Sequence, residues 1–247
     1  MDIKPAINLA MILIEWLSSG DDLLVTEGRI HALFAREKIG EKTIFETIEE
    51  KLSGRADLIH EQIMYHLLSL RTSGQVVDFG CGDGQVSQRL YKAGLAVTGY
   101  DVRDYRKPGV TVPFKLFDGV RTDSPNSQFT IGVMTNVAHH AADNQKVIDE
   151  VTRIIRPGGT LIMIETVPTK DTREEFEVTF MNDYLYNRLF HRADVPVPGT
   201  YETTMNWVLR FEDAGWSVKT VQDLGYDQPT IPDYHVLFVM QKSIPKQ

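Results

Sequence analysis

The chain has 247 residues, of which 42% are hydrophobic, and it carries a formal net charge of −8. This length and composition suffice for one sizeable α/β domain with an appendage, and the acidic balance weighs against a polyanionic partner such as a nucleic acid. Cys81 is the only cysteine, which excludes an internal disulfide framework and a cysteine zinc cluster.

The N-terminal segment, residues 1–73, is predicted to be an all-helical extension. The apolar spacing indicates helices at about 7–17, 26–38, from 43 onwards and 57–70, with breaks at Ser53-Gly54 and Ser73-Gly74. Thr43 and Glu46 have the spacing of a capping box, in which each side chain satisfies a backbone N–H group at the start of a helix.

Two negative expectations come from the same segment. The apolar run 7–17 is short and contains Glu15, so we expect neither a signal peptide nor a membrane span, and we expect a cytoplasmic location. His31, His60 and His66 have no Cys or Asp partner at ligand spacing, so we expect no metal site.

A glycine-rich connection follows the first predicted strand of the remaining domain, residues 74–247. Residues 76–79 are apolar apart from Asp78, as in a buried parallel strand, and residues 85–93 show helical spacing. The connection contains Gly80, Gly82 and Gly84. Glycine accepts positive φ and lets a ligand approach the free N–H groups of a helix start, so this turn is predicted to bind a nucleotide.

The glycine spacing indicates which nucleotide binds. A dinucleotide fingerprint reads G-x-G-x-x-G, whereas here the glycines alternate and Gln85 occupies the third glycine position, which argues against NAD and a dehydrogenase. The run Asp-Phe-Gly-Cys-Gly-Asp-Gly at 78–84 instead resembles the first motif of class I S-adenosylmethionine-dependent methyltransferases. Cys81 is interpreted there as a small residue that fits the turn.

Acidic residues follow the next two predicted strands. The strand at 95–101 ends in Asp101, where a carboxylate can accept hydrogen bonds from both ribose hydroxyls; the alternative is a solvated strand-end carboxylate. After the strand at 112–117 comes Asp118, and the resemblance implies that this acidic residue binds the adenine amino group, although Asp-Gly is also a common turn pair. The resemblance implies this cofactor-binding set: Asp78, Gly80, Cys81, Gly82, Gly84, Gln85, Asp101, Val102, Arg103, Phe117, Asp118, Gly119, Thr135 and Asn136.

The following segment extends the resemblance. A strand at 129–135 precedes Asn-Val-Ala-His-His, which is similar to the fourth motif of the small-molecule branch of the family, with Ala138 in place of a common leucine. A helix at 144–155, an Arg-Pro-Gly-Gly turn at 156–159 and a strand at 160–165 follow in the family's order.

His139, His140 and Glu165 are the candidate catalytic residues. Imidazole titrates near neutral pH, so either histidine could take a proton from the acceptor, and Glu165 stands at the tip of the next strand. The alternative is that the histidine pair orients loops under the cofactor.

An insertion at 167–200 is rich in aromatic and acidic residues and is predicted to cap the substrate pocket. The candidate substrate-binding residues are His140, Glu165, Asp183, Tyr184, Asn187 and Trp207. Carboxylates with aromatic rings suit an amine-bearing acceptor; the alternatives are helix core for Tyr184 and packing for Trp207. By analogy with this fold, the N-terminal helices are a candidate substrate lid.

A helix at 201–214 and strands at 217–224 and 235–240 complete the chain. Together these elements predict an α/β, Rossmann-like methyltransferase fold, with a mostly parallel seven-stranded sheet, one antiparallel strand and a helical N-terminal extension.

The resemblance implies an S-adenosylmethionine-dependent methyltransferase that acts on O, N or C of a small metabolite or natural-product intermediate. The alternatives are an RNA or protein methyltransferase and a non-catalytic S-adenosylmethionine-binding sensor or partner subunit. We expect a small-molecule acceptor, a monomer or homodimer, and neither a nucleic-acid nor a membrane partner.

Overall fold

The computed structural model describes residues 23–69, 73–190, 195–226 and 233–245. The chain divides into two compact units, Met1–Arg55 with Tyr184–Val195, and Ala56–Asp183 with Pro196–Gln247. Within the described residues, every helix is too short or too polar to span a bilayer.

The smaller unit contains helix α1 (Leu23–Arg36), a hairpin of β1 (Lys38–Ile39) and β2 (Lys42–Thr43), and the start of helix α2 (Ile44–Ser69). The predicted capping box is confirmed, since Thr43 N–H donates to Glu46 Oε2 at 2.7 Å and Glu46 N–H donates to Thr43 Oγ1 at 3.2 Å. These two bonds fix the start of α2.

Two predictions for this segment were wrong. The segment is not all-helical, because Gly40 adopts φ of +67° and closes the β1–β2 hairpin. The break at Ser53-Gly54 is also absent, and α2 continues through it; an interior glycine costs a helix only about 1 kcal/mol, which the helix-forming residues on both sides offset. The helix predicted at 7–17 lies outside the described residues.

The larger unit is built on seven strands and four further helices. The strands are β3 (Gln75–Phe79), β4 (Ala96–Asp101), β5 (Phe114–Leu116), β6 (Phe129–Thr135), β7 (Ile155–Thr166), β8 (Trp216–Tyr226) and β9 (Tyr234–Lys242). The helices are α3 (Gln85–Lys92), α4 (Asn144–Ile154), α5 (Arg173–Phe190), whose C-terminal part belongs to the smaller unit, and α6 (Thr204–Asp213).

These strands form one sheet in the order β5-β4-β3-β6-β7-β9-β8. Strands β5, β4, β3, β6 and β7 pair in parallel, and β9 is antiparallel to both of its neighbours. The predicted seven-stranded sheet with one antiparallel strand is therefore confirmed.

Two elements differ in detail from the prediction. Strand β5 is shorter than the expected 112–117, and the Pro113 carbonyl accepts from Gly99 N–H at 2.8 Å just before it begins. The Arg-Pro-Gly-Gly turn lies inside β7, where the register with β6 shifts between Phe129 and Ile131. Glycine at 158 takes φ of +74° in this irregularity, so the chain bends without leaving the sheet.

The core lies on both faces of the sheet. Side chains of α4 and α6 pack with one face, and side chains from the second half of α2 and from α3 pack with the other. Alternation along the strands supplies both layers, since Val77 faces the first and its neighbour Val76 the second. This three-layer packing fixes the carboxyl ends of the parallel strands along one edge.

Candidate functional site

The carboxyl ends of the parallel strands bring most of the predicted site residues to one edge of the sheet. Strand β3 lies between β4 and β6, and the chain reverses its direction of growth across the sheet at that point. In open α/β sheets, ligands bind beyond the carboxyl ends of the strands at such a switch point. The glycine turn follows β3 and therefore lies at the expected place.

The glycines of this turn differ in why they are needed. A Cβ at Gly80 would lie 2.5 Å from a methyl group of Val137, so internal packing requires glycine there. Gly82 has φ of +51°, and a Cβ added to it would meet nothing within 4 Å. The turn thus leaves open space beside Gly82, as a ligand that approaches the backbone needs.

Asp101 holds the glycine turn from the tip of β4. Its Oδ2 accepts from Gly82 N–H at 2.8 Å and its Oδ1 accepts from Val102 N–H at 2.7 Å. Burial raises the pKa of this carboxyl, and the two N–H groups oppose that shift. The backbone N–H group of Arg103 also hydrogen-bonds to this carboxylate, and the remaining lone-pair capacity is compatible with the predicted ribose contact.

Asp78 has a buried oxygen without a partner. Ser87 Oγ–H donates to its Oδ2, whereas Oδ1 has no hydrogen bond within the described part of the chain. Burial raises the pKa of the Asp78 carboxyl to about 7, with a further contribution from the charges of Asp101 and Asp83. A cationic donor from a ligand would satisfy Oδ1 and favour the ionised form.

Asp118 is exposed at the end of β5. Its Oδ1 accepts from Val120 N–H at 2.8 Å and Arg121 N–H at 2.7 Å, and these bonds hold the pKa of the carboxyl below its ordinary value. Asp118 therefore stabilises a turn, as its alternative interpretation expected, and its contact with adenine stays a prediction.

The other predicted cofactor residues fall into three groups. Phe117 packs on Phe79 with ring centroids 4.9 Å apart, and Cys81 is buried with its Sγ next to Gly99. Asn136, at the end of β6, has φ of +53° and a buried Oδ1 with no hydrogen bond to a described residue. Residues with partly or largely exposed positions are Gln85, Val102, Arg103, Gly119 and Thr135.

A second cluster lies beyond β6 and β7, centred on His139. Its side chain is fully buried, and its Nδ1 lies 2.5 Å from Glu165 Oε2. The other Glu165 oxygen accepts from Val137 N–H at 2.8 Å and Ala138 N–H at 2.7 Å. Glu165 is also fully buried, and its catalytic and substrate-binding roles stay predictions.

Asp183, from α5, completes this cluster. His139 Nε2 lies 3.6 Å and His140 Nε2 4.0 Å from Asp183 Oδ1, and Tyr201 O–H donates to Asp183 Oδ2 at 2.7 Å. The Tyr201 ring stacks on the His139 ring with centroids 5.3 Å apart. His140 Nδ1 lies 2.7 Å from the carbonyl oxygen of Pro196.

The charges in the cluster are coupled. Burial lowers the pKa of His139, but the charges of Glu165 and Asp183 outweigh burial and raise it to about 10. Burial and the positive charge of His139 lower the pKa of His140 to about 4. Burial and the Asp183 charge raise the pKa of Tyr201 above its ordinary value. The cluster therefore holds one positive charge between two carboxylates.

A largely apolar cavity of about 390 Å³ adjoins Tyr201. Its wall consists of one face of α5 and the segment before α6, with Arg173 and Glu177 as the charged members; the other lining residues are Phe176, Phe180, Met181, Gly199 and Tyr201. The predicted cap segment thus contributes aromatic side chains to this cavity.

The remaining substrate predictions are placed differently. Trp207 is fully buried in the core beside α4, which is a packing position. Tyr184 and Asn187 belong to the smaller compact unit, and their roles stay predictions.

Sequence analysis missed Tyr201, because it was interpreted only as the first residue of a helix. The structure starts α6 at Thr204 and leaves Tyr201 in the preceding segment, buried. The available signal was its position two residues after the Pro-Val-Pro-Gly run at 196–199, which favours a turn before the helix.

A family model described as "Methyltransferase domain" matches residues 45–221. A sterol 24-C-methyltransferase from Yarrowia lipolytica is 23% identical over 190 residues, which are 72% of this chain and 48% of that protein. A ubiquinone biosynthesis O-methyltransferase from Methylococcus capsulatus is 29% identical over 35% of this chain and 41% of that protein.

Among solved structures, a SAM-dependent methyltransferase from Methanosarcina mazei superposes with a TM-score of 0.55 at 18% identity, covering 70% of this chain and 94% of that one. This likeness shows a shared fold. The chain spans between a third and a half of the length of the first curated relatives it matches.

Proposed function

This chain belongs to the methyltransferase domain family, and from that premise we propose that it transfers the methyl group of S-adenosylmethionine to O, N or C of a small metabolite or natural-product intermediate. One observation carries the proposal: the open glycine turn, the Asp78 oxygen without a hydrogen bond and the His139 cluster all lie at one edge of the sheet. They belong to the carboxyl ends of neighbouring strands.

The residues at the β3 and β4 tips fit the cofactor that the family implies. Asp78 Oδ1 is a buried acceptor in need of a cationic donor, and the amino group of the cofactor's methionine part is such a donor. Gly82 leaves open space where a Cβ would stand, and Asp101 fixes that turn while its carboxylate keeps some lone-pair capacity for a ribose hydroxyl. We propose these residues as the core of the cofactor site.

When bound, S-adenosylmethionine supplies a methyl group on a positively charged sulfur that an in-line nucleophile can displace. The chain's own residues then have to orient the acceptor and exclude water. The fully buried His139–Glu165 pair gives the end of β6 a rigid, dry wall, and Thr200 fixes the adjacent loop through its hydroxyl, 2.9 Å from the His139 carbonyl oxygen.

We propose Glu165 and His139 as positioning residues rather than as direct proton acceptors. Neither side chain has exposed surface; two backbone N–H groups hold the Glu165 carboxylate, and this carboxylate holds His139 Nδ1. His140 is partly exposed, with 17% of its side chain accessible, and its Nε2 is the atom of the histidine pair that an acceptor could approach.

The acceptor is proposed to have an apolar body. The 390 Å³ cavity beside Tyr201 presents mainly aromatic and aliphatic surface, and burying apolar area gains about 25 cal/mol per Å². The names of the matched relatives mention a sterol and ubiquinone, which are apolar compounds of this kind. The charges of Glu165 and Asp183 raise the pKa of His139 and so favour its positively charged form. These carboxylates therefore attract an amine-bearing acceptor less strongly than the sequence suggested.

Transfer of a radiolabelled methyl group to matched acceptors tests the proposal. We expect label on 4-decylphenol or 4-decylaniline, which differ only in the attacking atom, and little on tRNA. Phe180→Ala should raise the acceptor KM about tenfold without changing the affinity for S-adenosylmethionine, because the Phe180 ring lines the cavity, and Phe180→Leu should have a smaller effect.

Other outcomes would favour the alternatives. Transfer to RNA but to no small acceptor would indicate an RNA methyltransferase, whereas binding of the cofactor without transfer to any acceptor would favour a non-catalytic sensor. A cytoplasmic location and a monomeric or homodimeric state stay predictions from the sequence.

A further inference from the structure

We propose that His139, His140 and Asp183 form a binding site for one divalent transition-metal ion, with the two Nε2 atoms and Asp183 Oδ1 as ligands. One potential ligand atom from each of the three residues lies within 4.8 Å of the other two, and the Nε2 atoms of His139 and His140 lie 3.6 Å and 4.0 Å from Asp183 Oδ1. The proposal departs from the expectation of no metal, which considered spacing along the chain and not the fold.

Each proposed ligand is oriented by a hydrogen bond on its opposite atom. His139 Nδ1 faces Glu165 Oε2 at 2.5 Å, His140 Nδ1 faces the Pro196 carbonyl at 2.7 Å, and Asp183 Oδ2 accepts from Tyr201 O–H at 2.7 Å. Metal-binding histidines and carboxylates are held in this way in proteins, since the outer partner fixes the ring and its tautomer.

The tautomer follows from the acceptors. A carbonyl oxygen can only accept, so His140 Nδ1 must carry the hydrogen, and the Nε2 of the neutral ring then presents a lone pair. Glu165 Oε1 already accepts from two backbone N–H groups, which marks this side chain as an acceptor for His139 Nδ1–H too. Both Nε2 atoms are therefore available on the inner side of the cluster.

His139 Nε2 is fully buried and has no hydrogen-bond partner within the described residues, although it points toward Asp183 Oδ1 at 3.6 Å. A buried polar nitrogen without a partner is costly, and a metal ion would satisfy it. Metal binding requires a lone pair on Nε2, so the ion would replace any hydrogen on that atom.

The spacing requires only a small closure. Ligands at about 2.0–2.1 Å from a tetrahedral ion lie roughly 3.3 Å from one another. The two distances to Asp183 Oδ1, 3.6 Å and 4.0 Å, exceed this by about 0.3 Å and about 0.7 Å. Side-chain rotation of that size lies within the freedom of the partly exposed His140.

The ligand set also indicates the class of metal. Two imidazoles with one carboxylate suit Zn²⁺, Co²⁺, Fe²⁺ or Mn²⁺, and imidazole argues against Ca²⁺ and Mg²⁺. Three protein ligands leave a further position open, and on the proposed function that position faces the acceptor, whose hydroxyl would become more acidic on binding.

The test is a titration of the chelator-treated full chain with Co²⁺, followed by calorimetry and by the visible spectrum of the ion. We expect one Co²⁺ per chain with a spectrum of low-symmetry N/O coordination. His140→Ala and Asp183→Asn should each lower the affinity at least about tenfold, and Glu165→Gln, outside the ligand set, should lower it about 10–100-fold.

Two controls keep the result decisive. His31→Gln removes an exposed histidine outside the cluster and should leave the affinity unchanged. Circular dichroism confirms that each variant is folded, and His140→Ala is preferred to a His139 variant because His140 is not a core side chain.

Absence of stoichiometric Co²⁺ binding, or binding that His140→Ala and Asp183→Asn leave unchanged, would overturn the proposal. A separate titration with S-adenosylmethionine distinguishes this failure from failure of the proposed function. Cofactor binding without metal removes only the metal site, and metal binding without cofactor binding removes the methyltransferase.

Discussion

The Asp101 carboxylate at the tip of β4 accepts a 2.8 Å hydrogen bond from the N–H group of Gly82, in the turn that follows β3. The two strands are neighbours in the sheet, and their tips are joined by this bond. One side chain therefore both shapes the open glycine turn and stands where the ribose of the cofactor is expected.

Asp101→Ala should lower the affinity for S-adenosylmethionine by at least tenfold. The change removes the acceptor for Gly82 N–H and the proposed acceptor for the ribose, and hydrogen bonds to a charged group contribute about 1.5–3 kcal/mol each. Calorimetric titration of the folded variant measures the effect. An unchanged affinity would place the ribose elsewhere.

Gly82→Ala should weaken cofactor binding, while Gly94→Ala should not. Both glycines have positive φ, +51° and +92°, and at both an added Cβ would meet nothing within 4 Å. Alanine is strained at both positions, by roughly 1–2 kcal/mol or more, but only the Gly82 methyl group would occupy the proposed ligand space. Equal affinities in the two variants, measured by titration alongside their stabilities, would refute the close approach.

Asp78 should make the free energy of unfolding fall as the pH rises from about 4 to about 7. Its folded pKa, about 7, lies above its ordinary value, so its contribution is fully present below the unfolded pKa and is lost as the pH rises through the folded one. The full change is at most roughly 4 kcal/mol. Asp78→Asn should lack it, and urea denaturation of both proteins at pH 5 and pH 8 measures the difference; an identical pH dependence in the two would contradict the assignment.

The same carboxyl should link cofactor binding to pH. A cationic donor at Asp78 Oδ1 favours the ionised form, so affinity should increase as the pH rises toward about 7 and level off above it. Titrations in buffers of different ionisation enthalpy would detect the released proton, which Asp78→Asn should not release.

Glu165→Leu should destabilise the fold by about 3–5 kcal/mol, and Glu165→Gln should cost clearly less. Leucine leaves His139 and two backbone N–H groups buried without their acceptor, whereas the glutamine amide oxygen can still accept. Urea denaturation compares the two variants. A similar, small loss for both would show that Glu165 does not hold the loop after β6.

The sequence predicts the parts of this fold that depend on local patterns. Strand β6 was predicted at its observed bounds, and α3 within one residue, because apolar alternation and the glycine turn are signals within ten residues of each element. The break predicted at Ser53-Gly54 in α2 was wrong because a single glycine is a weak local signal. The residues around Gly54 favour helix.

The His139 cluster lay beyond this kind of prediction. Its bonds join residues separated by 26 positions, between His139 and Glu165, and by 18 positions, between Asp183 and Tyr201. Packing of β7 and α5 brings such pairs together. This packing depends on the whole fold and not on a local sequence pattern. Sequence analysis identified three of these four residues as candidates but not the bonds that link them.

The most direct test of the account is isothermal titration of the purified chain with S-adenosylmethionine, S-adenosylhomocysteine and NADH. The account predicts that the first two bind, one per chain, with micromolar affinity, and that NADH does not. Binding of NADH alone would contradict the assignment of the glycine turn to S-adenosylmethionine.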